Sequence, residues 1–167
     1  LGRFDEAIAS YGKAIAINPH YAGAHATLGH ALHNSGRTDE AIASYKRSLK
    51  LDSKVANTHC NLGNAYLDKG EFDAAVASYR RALAIRPDFA QVHCNLGSAL
   101  KNQGLVEEAI ACYQQAIVLK PDYAHAHNDL GTALQKLGNA EEAVDKYRKA
   151  LSLKVDFADA HCNLGNA

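Results

Sequence analysis

The stretch ANTHCNLGNAYLDKGEFDAAVASYRRALAIRP, from Ala56 to Pro87, decides the fold. Apolar residues recur at helical spacing in two segments, Ala56 to Lys69 and Phe72 to Ile85, and Gly70 lies between them. A glycine in that place ends a helix and lets the chain turn. The stretch therefore predicts two consecutive helices that fold back on each other as a hairpin.

The same pattern recurs every 34 residues along the chain of 167 residues. Aligning the sequence with itself at this interval needs no gap, and a fixed period of about 20 to 50 residues indicates a repeat architecture. Each repeat carries one alanine and one tyrosine at equivalent positions. These are Ala7, Ala41, Ala75, Ala109 and Ala143, and Tyr11, Tyr45, Tyr79, Tyr113 and Tyr147. The chain is therefore expected to be an array of helical hairpins.

Ten of the 12 glycines follow this period and form two sets. The first set lies in the turn between the two helices of a repeat: Gly2, Gly36, Gly70, Gly104 and Gly138. The second set lies inside the first helix: Gly29, Gly63, Gly97, Gly131 and Gly165. Glycine inside a helix costs about 1 kcal/mol relative to alanine, so the second set needs a compensating contact. We expect the second helix to approach closely there, with the small side chains of Ala75 and Ala82 offered to the first helix.

The three prolines, Pro19, Pro87 and Pro121, lie just past the second helix of a repeat. A proline in that place stops the helix and sets the turn to the next repeat. Ser53 and Val155 stand at the equivalent position of the other two junctions. We expect those two junctions to be looser.

These residues together resemble the tetratricopeptide repeat. The family pattern is met in one repeat by His59, Leu62, Gly63, Tyr66, Ala75, Tyr79, Ala82 and Pro87. The resemblance covers the whole chain and implies an all-α fold, a right-handed superhelical solenoid of antiparallel helix pairs whose first helices line a concave groove. The period predicts a single array at 1–167. It comprises a partial repeat with the second helix only at 1–21, full repeats at 22–55, 56–89, 90–123 and 124–157, and a partial repeat with the first helix only at 158–167.

The charge and hydropathy of the chain exclude two classes of partner. Lys and Arg number 18 and Asp and Glu number 18, so the net charge is zero and no basic field attracts nucleic acid. No run of about 18 apolar residues is present that spans a bilayer. We therefore expect a cytoplasmic protein that binds neither nucleic acid nor membrane.

Histidine and cysteine also follow the period, but neither set predicts a reactive centre. Packed helices lie about 8–10 Å apart, which is too far for one zinc ion to take imidazoles of adjacent repeats. The same distance exceeds the span of about 4.4–6.8 Å between Cα atoms that a disulfide allows. The histidines of this set are expected in the core or half-buried, and the cysteines are expected as free thiols at the edge of the groove. They are His25, His59, His93, His127 and His161, and Cys60, Cys94 and Cys162.

Catalytic motifs are absent from the sequence. It contains no CxxC pair, no nucleophile elbow and no glycine loop of the kind that cradles phosphate. We therefore expect no catalytic residue, no metal, no cofactor and no enzymatic activity in this chain.

The first helices carry a polar stripe opposite their core side. A helix turns about 100° per residue, so Asn57, Asn61 and Asn64 lie away from Leu62 and Tyr66. A carboxamide both donates and accepts hydrogen bonds, so such a stripe suits the main chain of an extended peptide. The candidate peptide-binding residues are Asn57, Asn61, Asn64, Gln91, Asn95, Ser98, Asn102, Asp129, Asn163 and Asn166. The alternative is ordinary solvated polarity that tandem duplication has copied.

The repeats are most similar to those of the O-linked N-acetylglucosamine transferases. The tetratricopeptide superhelix of those enzymes carries an asparagine ladder that grips the backbone of protein substrates. By motif position the ladder falls here on Asn61, Asn95 and Asn163, and it is interrupted at Thr27 and Asp129.

Three functions stay open from the sequence. The first is a protein–protein interaction module that binds an extended peptide or partner segment in the asparagine-lined groove. The second is a scaffold that self-associates head to tail, with the helix from Ala158 of one molecule packed against Phe4 to Ile17 of the next. The third is the substrate-recruiting arm of a glycosyltransferase whose catalytic domain lies outside this segment.

Overall fold

The computed structural model describes residues 2–167, and it describes side chains from Phe4 onward. Within that range the chain forms ten α-helices and no strand. They are α1 (Gly2–Ile17), α2 (Ala22–Asn34), α3 (Thr38–Leu51), α4 (Ala56–Asp68), α5 (Phe72–Ile85), α6 (Ala90–Asn102), α7 (Val106–Leu119), α8 (Ala124–Lys136), α9 (Ala140–Leu153) and α10 (Ala158–Asn166).

The helices alternate as the sequence period requires. The first helices α2, α4, α6, α8 and α10 begin at the residues that open the predicted repeats. The helices α2, α4, α6 and α8 each pack along the helix that follows. The chain divides into two compact units, which we name unit 1, ending at Pro87, and unit 2, from Asp88 to Ala167.

The turn inside each hairpin depends on a glycine with a left-handed backbone. Gly70 has a φ of 73°, a conformation that costs other residues a clash between Cβ and backbone. The N–H of Glu71 then donates to the carbonyl of Tyr66 at 2.9 Å, which closes the end of α4 in a Schellman-type cap. The equivalent glycines are Gly36, Gly104 and Gly138, with φ of 81°, 86° and 82°.

The second set of glycines admits a tyrosine ring. A Cβ placed on Gly63 would lie 2.5 Å from the ring of Tyr79 on α5, closer than any real contact. The same overlap, at 2.6–2.7 Å, occurs in the pairs Gly29–Tyr45, Gly97–Tyr113 and Gly131–Tyr147. All four tyrosine residues are fully buried. The expected close approach is confirmed, but the nearest group to Gly63 is the tyrosine ring and not the side chain of Ala75 or Ala82.

Four of the periodic histidines tie a first helix to the turn before it, and of these four His161 is exposed, contrary to the packing expected for it. His59 Nε2 donates to the carbonyl oxygen of Ser53 at 3.0 Å, and His161 Nε2 donates to that of Val155 at 2.9 Å. His25 and His127 make the same bond, both at 3.0 Å, to the carbonyls of Pro19 and Pro121. The two junctions that lack proline therefore hold the same hydrogen bond as those of Pro19 and Pro121.

Candidate peptide-binding faces

The predicted site residues lie on first helices, and these are neighbours within each unit. In unit 1, α2 contacts α4; in unit 2, α8 contacts both α6 and α10. The residues therefore form two surfaces, which we treat separately. The polar face of unit 1 comprises Asn57, Asn61 and Asn64, and the polar face of unit 2 comprises Gln91, Asn95, Ser98, Asn102, Asp129, Asn163 and Asn166.

On the polar face of unit 1, the three asparagines have different roles. Asn57 is exposed, and its Oδ1 accepts a hydrogen bond from the Arg86 guanidinium at 2.9 Å. Asn64 Oδ1 accepts from the Tyr79 hydroxyl at 2.8 Å, which binds this asparagine to the second helix of its own hairpin. Asn61 is half-buried, and its carboxamide makes no hydrogen bond within the described residues.

On α6, the polar residues form hydrogen bonds with one another, with the backbone of their own helix or with Tyr113 on α7. Gln91 Nε2 donates to Asn95 Oδ1 at 3.1 Å, one turn along the helix. Asn102 Nδ2 donates to the Ser98 carbonyl at 3.0 Å, and the Ser98 hydroxyl lies 3.2 Å from the Tyr113 hydroxyl. Ser98 thus shares with Asn64 the role of holding the buried tyrosine.

Asn163 connects α10 to α8 through a residue that the sequence reading left out of the candidate site. Its Nδ2 donates to Asn128 Oδ1 at 2.9 Å and lies 3.5 Å from Thr132 Oγ1. Asn128 is buried, and it occupies the position that holds cysteine in the neighbouring repeats. An asparagine at a core position filled elsewhere by a small apolar residue is the signal that would have identified it. Asn166 is exposed, and its backbone carbonyl accepts from Gln135 Nε2 at 3.2 Å.

Asp129 is a half-buried carboxylate at the ladder position of α8. Its Oδ1 accepts from Asn128 Nδ2 at 3.4 Å, and its Oδ2 lies 3.7 Å from Cys94 Sγ. Among the described residues no Lys, Arg or His nitrogen lies within the 4.0 Å of an ion pair. Burial raises the pKa of the Asp129 carboxyl, and the positive charge of Lys101 opposes this effect.

Cys60 and Cys94 are buried, contrary to the expectation that they lie at the edge of the groove, whereas Cys162 is exposed. Cys60 and Cys94 are 5% and 3% exposed, and all four cysteines are free thiols. Burial raises the pKa of Cys60 to about 11 and that of Cys94 to about 12. Because the thiolate is the reactive form, these two side chains act as apolar packing groups.

The hydroxyl of the periodic tyrosine finds a partner in three of the four hairpins. Tyr79 bonds to Asn64, Tyr113 to Ser98, and Tyr147 donates to Gln135 Oε1 at 2.9 Å. The Tyr45 hydroxyl is buried without a partner, and burial raises the pKa of Tyr45 to about 12. The sequence explains the difference, because His30 stands in that repeat where Asn64 stands in the next one. The His30 side chain is exposed and contacts Asn34, not the Tyr45 hydroxyl.

Metal binding and membrane insertion also bear on function. Within the described residues, no group of three His, Cys, Asp or Glu side chains has the placement to hold a metal ion. Over the same range, none of the helices has the length and the apolar character needed to cross a membrane.

The family model for the TPR repeat matches residues 1–36, 29–70, 63–104, 100–138 and 135–167, which together cover every residue. No curated protein sequence gives a match. Among solved structures the chain is similar to MamA, with 30% identity over 94% of this chain and 92% of that one and a TM-score of 0.87.

More distant structures share the fold. MamA from Desulfovibrio magneticus RS-1 has 21% identity over 94% of this chain and 89% of that one, with a TM-score of 0.87. YrrB, described as a TPR protein with an unusual peptide-binding site, has 20% identity over 96% and 83%, with a TM-score of 0.83. The all-α repeat fold predicted from the sequence is confirmed.

The tyrosine hydroxyls allow a matched test of the site geometry. We expect Tyr79→Phe to lower the free energy of unfolding by about 1 kcal/mol, because it removes the hydrogen bond to Asn64. We expect Tyr45→Phe to leave this free energy unchanged or to raise it, because the lost hydroxyl has no partner. Urea unfolding followed by circular dichroism measures both. Equal losses in the two variants would contradict the assigned bonding.

Proposed function

The chain belongs to the tetratricopeptide repeat family, and on this basis we propose that it is a protein-interaction module that binds an extended peptide or partner segment along its asparagine-lined polar faces. The tetratricopeptide fold is consistent with protein–protein interaction and with peptide binding. Proteins of this fold are generally non-catalytic interaction modules. The polar faces are therefore where we expect the ligand.

The proposal rests on the carboxamide of Asn61. It is half-buried on the polar face of unit 1, and no described residue occupies the donor or the acceptor of its carboxamide. A peptide unit offers one N–H and one C=O, which the two ends of a carboxamide satisfy together. Asparagine in a helix costs roughly 0.5 kcal/mol relative to alanine, so a ligand bond gives a reason for keeping this residue where alanine would fold better.

The polar face of unit 2 supports the same mode of binding. The hydrogen bond from Gln91 to Asn95 Oδ1 restrains the Asn95 carboxamide. The hydrogen bond from Asn163 to Asn128 Oδ1 restrains the Asn163 carboxamide. A side chain already held in one rotamer loses less entropy when it binds a ligand. These two asparagines are therefore better prepared for a main-chain contact than freely rotating surface residues.

A paired substitution tests this function. Asn61→Ala combined with Asn95→Ala is expected to weaken binding of a peptide, selected on the wild-type protein from a random peptide library, at least about tenfold. The physical reason is the loss, on each polar face, of one carboxamide that pairs with the main chain of a peptide bound to that face. Isothermal titration calorimetry measures the affinity, and thermal unfolding checks that the fold is kept.

The matched control is Gln114→Ala combined with Gln115→Ala, which removes two exposed carboxamides from the second helix α7. This control is expected to bind as the wild type does. Replacing single peptide amides by N-methyl groups is expected to reduce affinity for the wild type, because it removes the donors. Unchanged binding by the asparagine double variant would remove the proposal.

Self-association is a second candidate, and one structural feature favours it. The periodic Tyr11 on α1 is half-buried, and no glycine partner for it lies among the described residues. The periodic Gly165 on α10 has nothing within 4 Å of its Cβ position. Each is one half of the Gly–Tyr contact found in the four hairpins, so α10 of one copy packed on α1 of another would complete it.

Sedimentation velocity over a range of concentrations tests this candidate. We expect concentration-dependent assembly that Tyr11→Ala abolishes, because that change removes the ring. A monomer at every concentration would exclude self-association of this chain. The third function, recruitment of substrates to a glycosyltransferase domain, stays a prediction from the similarity of the repeats.

A further inference from the structure

The carboxylate of Asp129 is a half-buried charged group on the polar face of unit 2 whose bonding is incomplete. The corresponding residue of the neighbouring repeats is Asn95 or Asn163, a neutral carboxamide. The two contacts of Asp129 are a long hydrogen bond from Asn128 at 3.4 Å and a weak thiol donor, Cys94 Sγ, at 3.7 Å. A carboxylate has about four acceptor positions, and these two weak donors leave about two of them unused.

The charged groups around Asp129 do not complete the bonding of its carboxylate either. Lys101 on α6 and His125 on α8 act on it through space, and neither is within ion-pair distance. Burial raises the pKa of the Asp129 carboxyl against these two positive influences. A half-buried carboxylate in this state gains more from an incoming cation than an exposed one does, because water screens the pair less.

The neighbouring helices place this carboxylate within the proposed ladder. Cys94 on α6 precedes Asn95 in the chain, and its sulfur contacts Asp129. Asn163 on α10 is bonded to Asn128, the residue before Asp129. A main chain held by Asn95 and Asn163 would therefore pass Asp129 on α8 between them.

We propose that the polar face of unit 2 takes a partner segment that carries a lysine or arginine, whose cationic side chain pairs with Asp129 while the ladder asparagines hold the main chain. This inference rests on the proposed function and names the chemistry of its partner. A divalent metal ion is a poorer occupant, because no group of three metal-ligating side chains exists in the described part of the chain.

The experiment separates the cation contact from main-chain binding. A neutral peptide is selected on the Asp129→Asn variant from a random peptide library, and lysine is then placed at each of its positions in turn. At one or two positions, lysine is expected to tighten binding to the wild-type protein about tenfold. The same peptides are expected to bind Asp129→Asn no better than the neutral parent does, because asparagine lacks the charge.

The controls show whether a negative result contradicts the cation contact or peptide binding itself. Norleucine at the responsive position has nearly the length of lysine without its charge and is expected to give no gain, and glutamate there is expected to weaken binding to the wild type. If no lysine position distinguishes the wild type from Asp129→Asn, the cation contact is wrong while peptide binding stands. If neither protein captures any peptide, the proposed function fails and this inference fails with it. Thermal unfolding of Asp129→Asn verifies that the variant is folded.

Discussion

The packing of a tyrosine ring against a glycine is the contact on which the rest of this structure depends. In each complete hairpin the ring replaces the Cβ that any other residue would place there. The buried ring fixes the separation of the two helices and the rotation of the first helix about its axis. Once that rotation is set, residues such as Leu62 face the second helix and residues such as Asn61 face away from it. The position of the candidate site is therefore a consequence of the core.

The residues of the polar stripe differ in whether they bond the second helix of their hairpin. Asn64 and Ser98 form hydrogen bonds with the hydroxyl of the buried tyrosine in their hairpins. These two residues of the stripe therefore help to hold the two helices of the hairpin together. Asn61, Asn95 and Asn163 occupy the motif position of the proposed ladder, and none of the hydrogen bonds to a tyrosine hydroxyl involves them. This division means that substitutions along one stripe will act on different properties. Loss of Asn64 is expected to lower stability, whereas loss of Asn61 is expected to weaken the proposed binding of a peptide.

The period of the sequence was sufficient to predict the helices, because the recurring turn glycine marks where the first helix of each hairpin ends and the second begins. It was not sufficient to identify the group that fills the space at Gly63, since spacing shows that a small residue is required but not what approaches it. Helical-face arithmetic also placed Cys60 and Cys94 at the edge of the groove. They are buried because such arithmetic treats a single helix and omits its neighbours. The bond between Asn128 and Asn163 joins residues 35 positions apart, so helical spacing does not predict it. Whether Asp129 forms an ion pair depends on where Lys101 lies, and within the described residues it forms none.

Urea unfolding of two glycine variants tests the central contact most directly. Gly63→Ala places a Cβ against the buried ring of Tyr79, and it is expected to lower the free energy of unfolding by about 1–3 kcal/mol. Gly12→Ala places a Cβ in the interior of α1 where nothing lies within 4 Å, and it is expected to raise this free energy by up to about 1 kcal/mol. Opposite signs support the tyrosine–glycine contact as the basis of the fold. A gain in stability from Gly63→Ala similar to that from Gly12→Ala would contradict it.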